Sequence, residues 1–215
     1  MKQYQTFLFD LDGTLLDSNA HVIECFQVAF TEVLGEPLPE ATITSTFGIP
    51  LGEAITTIAP DHADALLKAY RAHSDKLGDS RLRMIDGAYD LLKALKERGA
   101  TVAIVTSKKE VNALHQMQLF QLDEYCDLLV GPEKTTAHKP DPAPIHYAID
   151  ALQTTADQCL MIGDSPHDIL CGQNAHVDTA GVLFTAVGKD VLRQAQPTYE
   201  IEQLADLIPY ASYLE

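Results

Sequence analysis

Short apolar runs alternate with longer segments whose apolar positions recur every three or four residues. Val177 to Val182 reads as a strand despite Asp178 and Thr179, and the runs at Phe7-Leu8-Phe9, Thr101 to Val105, Asp127 to Val130 and Cys159 to Ile162 are rich in Val, Ile, Leu and Phe with no polar residue inside them. That is the pattern of strands buried on both faces. Between them, Leu91, Leu92 and Leu95 share one helical face in a segment that Asp86-Gly87 opens and Gly99 closes. Ser107, with Glu110 three residues on, predicts a capping box for a helix that turns Val111 and Leu114 inward. Asp141-Pro142 supplies an N-cap and a first-turn proline for a helix through Leu152, Ser165-Pro166 starts another, and a last helix is expected from near Ile201. Strands alternating with helices predict an α/β fold, a parallel sheet covered on both faces.

Residues 17 to 84 break this rhythm. They hold helical runs from Val22 to Leu34 and from Ala63 to Leu77, punctuated by Pro37, Pro39, Pro50 and Pro60, with no strand pattern. The expected organisation is an α/β core made of residues 1–16 and 85–215, with an all-helical domain of residues 17–84 inserted after the first strand.

Charge narrows the partners. A formal net charge of −16 over 215 residues argues against nucleic acid or an anionic membrane, both of which favour basic surfaces. Cys25, Cys126, Cys159 and Cys171 form no CxxC pair and no zinc spacing, so reduced thiols are expected. No apolar run approaches the roughly 18 residues of a membrane span. The nine residues before Asp10 lead straight into a strand, not a signal peptide. A cytoplasmic protein is expected, monomeric by default with a dimer as the alternative.

Chemistry concentrates where the predicted strands end. Asp10 and Asp12 follow the first strand directly, and Gly13-Thr14 turns the chain after them. Two carboxylates this close repel each other, so a bound cation and a division of labour would explain the pair. Thr106-Ser107, Lys139-Pro140 and the run Gly163-Asp164-Ser165-Pro166-His167-Asp168 follow later strands. In a parallel sheet these ends share one edge, where such folds keep their sites. Carboxylates suit Mg²⁺, while a lysine and a hydroxyl suit phosphoryl oxygens. The set predicts phosphoryl transfer.

The stretches DLDGTLLDS (10–18), VTSK (105–108), HKPDP (138–142) and GDSPHD (163–168) resemble, in order and spacing, the haloacid dehalogenase superfamily, and within it the phosphatases with a helical cap. The resemblance implies a Rossmann-like core and a Mg²⁺-dependent phosphatase. By position, Asp10 matches the nucleophile that becomes an aspartyl phosphate, and Asp12 the acid and base. Thr106 and Lys139 match the groups that hold the transferring phosphoryl, with Gly13, Thr14 and Ser107 beside them. Asp164 matches the Mg²⁺ ligand, joined by the Asp10 carboxylate and the Asp12 carbonyl. Asp168 is expected to orient a water or Lys139 instead of ligating. Ser107 has a second reading as a helix cap, and Lys108 is expected in solvent.

Substrate choice is expected in the inserted helices. Phe47-Gly48-Ile49-Pro50-Leu51 matches a turn that approaches substrate in phosphoglycolate-phosphatase-like members, though a plain interhelical turn explains it equally. Arg71, Lys76, Arg81 and Arg83 are candidates for a second anionic group. His21, His115 and His146 are expected as surface or core residues. Asp12 argues against dehalogenases and phosphonate-cleaving relatives, which lack that carboxylate. The sugar-phosphate mutase branch typically has a histidine where Val22 stands and often an acid where Gly163 stands. A phosphatase for a small phosphorylated metabolite such as phosphoglycolate is the leading expectation. Pyrophosphate hydrolysis, a mutase and a silent binding module follow in that order.

Overall fold

Phe7 and Phe9 face one side of the first strand and Leu8 the other, and all three are fully buried. A strand whose alternate residues are both buried must lie inside a sheet with cover on each face. A computed structural model describes residues 2–212 and shows that sheet. In chain order, β1 (Thr6–Phe9) and β2 (Leu16–Asp17) lead to α1 (Asn19–Leu34), α2 (Glu40–Thr44), α3 (Leu51–Ile58) and α4 (Ala63–Leu77). Next come β3 (Arg83–Met84), α5 (Ala88–Glu97), β4 (Thr101–Val105), α6 (Glu110–Leu119), β5 (Leu128–Val130) and α7 (Ala143–Leu152). The chain then forms β6 (Cys159–Gly163), α8 (Pro166–Asn174), β7 (Asp178–Val182), α9 (Lys189–Gln194) and β8 (Tyr199–Ile201).

The main sheet is parallel throughout, in the order β5-β4-β1-β6-β7-β8. Phe9 aligns with Ile104 on one side and Ile162 on the other, so the chain leaves β1, β4 and β6 at one level. From β1 the chain builds outward to β4 and β5, then returns to place β6 on the opposite flank of β1. That reversal opens the crevice in which α/β folds bind ligands. One core layer joins Phe7, Phe9, Ile104 and Ile162 to Leu91, Leu92 and Leu95 of α5; the other joins Leu8, Ala103, Val105 and Met161 to Ile145 of α7 and Cys171 of α8. Burying each such Phe or Leu contributes roughly 1.5–3 kcal/mol.

The helices α1 to α4 bury a separate cluster that includes Phe26, Phe30, Ile43, Ile55 and Leu66. Phe26 meets Tyr70 edge-on, with ring centroids 5.3 Å apart at 77°. No helix among the described residues is long and apolar enough to cross a membrane.

Five expectations need correction. The sheet gains a strand, β8, and the region past Ile201 forms only a tight 3₁₀ turn over Leu204–Tyr210 instead of a full helix. The segment of residues 17–84 is not wholly helical, because β2 and β3 pair antiparallel as a two-strand ribbon, Leu16 with Met84 and Asp17 with Arg83. Ser107 does not cap α6. Its hydroxyl donates to the Gly48 carbonyl at 2.6 Å, while Glu110 accepts the Gly131 amide at 3.0 Å. The helix therefore starts later and turns Ala113 and Met117 inward, leaving Val111 71% exposed and Leu114 43% exposed.

Candidate active site

The β1 ladder runs one residue past the strand, where the Asp10 amide donates to Ile162 O at 2.8 Å. This fixes the Asp10 backbone at the mouth of the crevice. The chain then folds tightly, with the amides of Leu15 and Leu16 both donating to Leu11 O. Gly13 makes that turn at φ +81°, and a Cβ there would run into the Asp164 carboxylate. Glycine is required for both reasons.

Lys139, from the loop after β5, reaches under the site. Its ammonium donates to Asp10 Oδ1 at 2.8 Å and to Asp168 Oδ1 at 2.6 Å, with all three groups out of solvent. Ser165 caps α8 and receives the Asp168 amide on its side chain. The other Asp168 oxygen, Oδ2, accepts the Ser165 hydroxyl at 2.6 Å and the Ser165 amide at 3.1 Å. Both Asp168 oxygens are thus engaged by protein. Asp164 differs: its one hydrogen-bond contact among the described residues is Thr185 Oγ1, at 3.4 Å.

Asp10, Asp164 and Asp168 bring carboxylate oxygens within 4.8 Å of one another around a single lysine. Burial pushes Asp10 up to about 7, helped by Asp168 and Asp12 and opposed by Lys139. Burial also raises Asp164 well above the usual carboxylate range, again with neighbouring carboxylates adding to it. For Lys139 burial acts downward, but Asp10 and Asp168 outweigh it and hold the ammonium charged. Surplus buried negative charge with an under-partnered Asp164 suits a hard divalent cation.

Asp12 lies toward the open side. Its Oδ1 accepts the Ser18 hydroxyl and the Lys108 ammonium, the latter at 2.6 Å. The Lys108 amide donates to Thr106 Oγ1 at 3.1 Å, placing that hydroxyl at the end of β4. Lys108 is therefore part of the site, not in solvent. Sequence reading misses it because its partner stands 96 positions away, and only the meeting of β1 and β4 joins them.

Above these groups is a cavity of about 630 Å³, walled by Asp10, Asp12, Thr106 and Lys108 from the sheet edge and by His21, Phe47, Gly48 and Arg71 from the helices. Gly48 rests on the core at φ +92°, where a Cβ would strike the Ser165 hydroxyl, and Ser107 holds its carbonyl. The turn that carries Phe47 and Gly48 is therefore seated on the site. Of the four basic candidates only Arg71 reaches the cavity; Arg81 pairs with Glu24 at 3.1 Å, and Arg83 turns back to Ser80 O and Leu82 O. Gly13 and Thr14 are not among the cavity walls. The Gly13 amide is spent on Leu16 O at 2.7 Å, and Thr14 is fully buried. His21 is buried, with Nε2 at 2.9 Å from Ser74 Oγ, while His115 pairs with Asp79 at the surface.

A sequence profile of the haloacid dehalogenase-like hydrolases matches residues 7–182. Pyrophosphatase PpaX of Halalkalibacterium halodurans is 34% identical over 206 residues, covering 96% of each chain. Pyrophosphatase PpaX of Listeria monocytogenes is 35% identical over 204 residues, covering 94% of each. The fold is shared with the crystal structure of a predicted phosphatase from Clostridium acetobutylicum (TM-score 0.86, 24% identity, 97% of this chain and 98% of that one). It is shared too with that of a predicted phosphoglycolate phosphatase from Haemophilus somnus (TM-score 0.87, 23% identity, 97% and 98%). The chain belongs to the haloacid dehalogenase-like hydrolase family, and it is an enzyme.

Proposed function

We propose that this hydrolase is a phosphatase acting on a small phosphorylated metabolite of the phosphoglycolate kind, through an aspartyl phosphate on Asp10. The observation that carries this reading is the pairing of a buried, lysine-anchored Asp10 with a second carboxylate, Asp12, held at the cavity by Ser18 and Lys108. Residues 17–84 act as the cap domain over a core of residues 1–16 and 85–215, and the enzyme works as a monomer. Its four free thiols fit the reducing cytoplasm.

The donor set fits Mg²⁺. The Asp10 and Asp164 carboxylates and the Asp12 carbonyl would hold it, while Asp168, with both oxygens engaged, positions Lys139. When bound, the ion supplies positive charge against the phosphoryl oxygens. An Asp10 oxygen attacks phosphorus as the bond to the leaving oxygen breaks, and Asp12 delivers the proton that oxygen needs. Thr106 and Lys139 bind the phosphoryl oxygens where negative charge shifts in the transition state. Asp12 then takes a proton from the water that frees phosphate and restores Asp10.

A second reading, pyrophosphate as substrate, is favoured by the names of the relatives reported above. The mutase reading is not favoured, because Gly163 packs so closely on Asp168 that a side chain there would collide with it. The test is phosphate release by purified protein with Mg²⁺ from phosphoglycolate, other small phosphate esters, p-nitrophenyl phosphate and pyrophosphate, ranked by kcat/KM. An ester ranked first is expected. Pyrophosphate ranked first selects the second reading, and no release from any substrate overturns the proposal.

A further inference from the structure

Lys108 touches both halves of the reaction machinery. Its amide holds the Thr106 hydroxyl at 3.1 Å, and its ammonium holds Asp12 Oδ1 at 2.6 Å. The same ammonium donates to Gln116 Oε1, two turns along α6, which fixes the direction of the lysine stem. Ser18, the residue before α1, donates to the same Asp12 oxygen. The carboxylate is thereby clamped by one oxygen between the start of the helical insertion and the start of α6, beside the cavity that Asp12 and Lys108 both line. Oδ2 takes neither bond.

We infer that Lys108 is a positioning residue for proton delivery: it pins Asp12 through Oδ1 so that Oδ2 meets the leaving oxygen. This inference rests on the proposed phosphatase reaction. In the first half of that reaction the bond from Asp10 to phosphorus forms and the bond to the leaving oxygen breaks. The bonding pair stays on the leaving oxygen, and the proton moves to it from Asp12. The carboxylate left behind faces the Lys108 ammonium, so negative charge appears where a fixed cation already stands. Lysine's flexible stem would not achieve this alone, and Gln116 and the short α6 entry supply the rigidity. Lys108 need not touch substrate for any of this.

The role predicts dependence on the leaving group. An alkoxide leaves poorly without a proton, whereas p-nitrophenolate leaves without help, so a fault in proton delivery shows on alkyl esters alone. kcat/KM reports this half of the reaction, before the aspartyl phosphate is hydrolysed. Lys108→Met keeps the backbone bond to Thr106 and removes the ammonium, and Gln116→Leu removes only the anchor. For Lys108→Met, kcat/KM on an alkyl phosphate is expected to fall about 10- to 100-fold, at most the lower end of what general acid catalysis contributes, because Asp12 itself remains. On p-nitrophenyl phosphate it should fall no more than about threefold, and Gln116→Leu should move the same ratio in the same direction by less. Equal losses on both substrates in a Lys108→Met protein that keeps the wild-type Tm, or a larger loss on the aryl ester, overturn the inference. A wild-type enzyme that releases phosphate from neither ester overturns the phosphatase reading instead. Misfolding would lower both substrates alike, and the Gln116→Leu ratio then decides.

Discussion

Asp168 meets Lys139 at 2.6 Å with both side chains almost completely out of solvent, and Asp168 returns its second oxygen to Ser165. The lysine that faces Asp10 is therefore oriented by a carboxylate with no oxygen left for other work. Asp168→Asn is expected to keep α8 capped and to lower kcat about 10- to 100-fold, the usual cost of losing a partner that orients a site group. Asp168→Leu should destabilise by about 3–5 kcal/mol, because it breaks a buried pair and strands the Ser165 hydroxyl. Steady-state kinetics and urea unfolding of the two variants separate these effects.

Gly48 combines a left-handed backbone with contact on Ser165, so Gly48→Ala meets a barrier on both counts. About 1 kcal/mol of stability should be lost, or about 2–4 °C in Tm. KM should rise several-fold as the turn lifts from the core. A variant with unchanged KM would show that this turn does not shape the substrate site.

Divalent cation should stabilise the fold through Asp164. Added Mg²⁺ is expected to raise Tm in proportion to the logarithm of its concentration above Kd. Asp164→Asn should abolish most of that rise, and chelation should silence the wild-type enzyme. An equal Mg²⁺ response in Asp164→Asn would place the cation elsewhere.

Alkaline pH should loosen the protein through its thiols. Burial pushes Cys25 and Cys171 up to about 12 from an ordinary value of 9.0. The folded state thus keeps protons that the unfolded chain releases above about pH 9. The stability these thiols support is fully present below that pH and is lost as pH climbs from 9 toward 12. Urea unfolding at pH 8, 9.5 and 10.5 should show this decline, and Cys171→Ala should make it shallower.

What the sequence reveals and hides has physical causes. Buried parallel strands are legible because both faces are apolar, as in Thr101 to Val105 and Cys159 to Ile162, and the polar residues that end them are conspicuous. β8 is not legible: Tyr199, Glu200 and Ile201 form a short edge strand with an exposed middle residue. The ribbon of β2 and β3 pairs residues 66 and 68 positions apart, with only two on each side. Ser107 and Glu110 form a sound capping signal, but Gly48 and Gly131 compete for their side chains, and tertiary bonds win. Lys108 is hidden for the same reason: the pairing of β1 with β4 brings it to Asp12, and nothing local marks it.

The most direct test is to mix enzyme and substrate with Mg²⁺, quench in acid within one turnover, and map the peptides by mass spectrometry. A phosphoryl group on the peptide that carries Asp10, absent in Asp10→Asn, is the predicted result. Turnover with Asp10 unmodified, or undiminished turnover in Asp10→Asn, would contradict it.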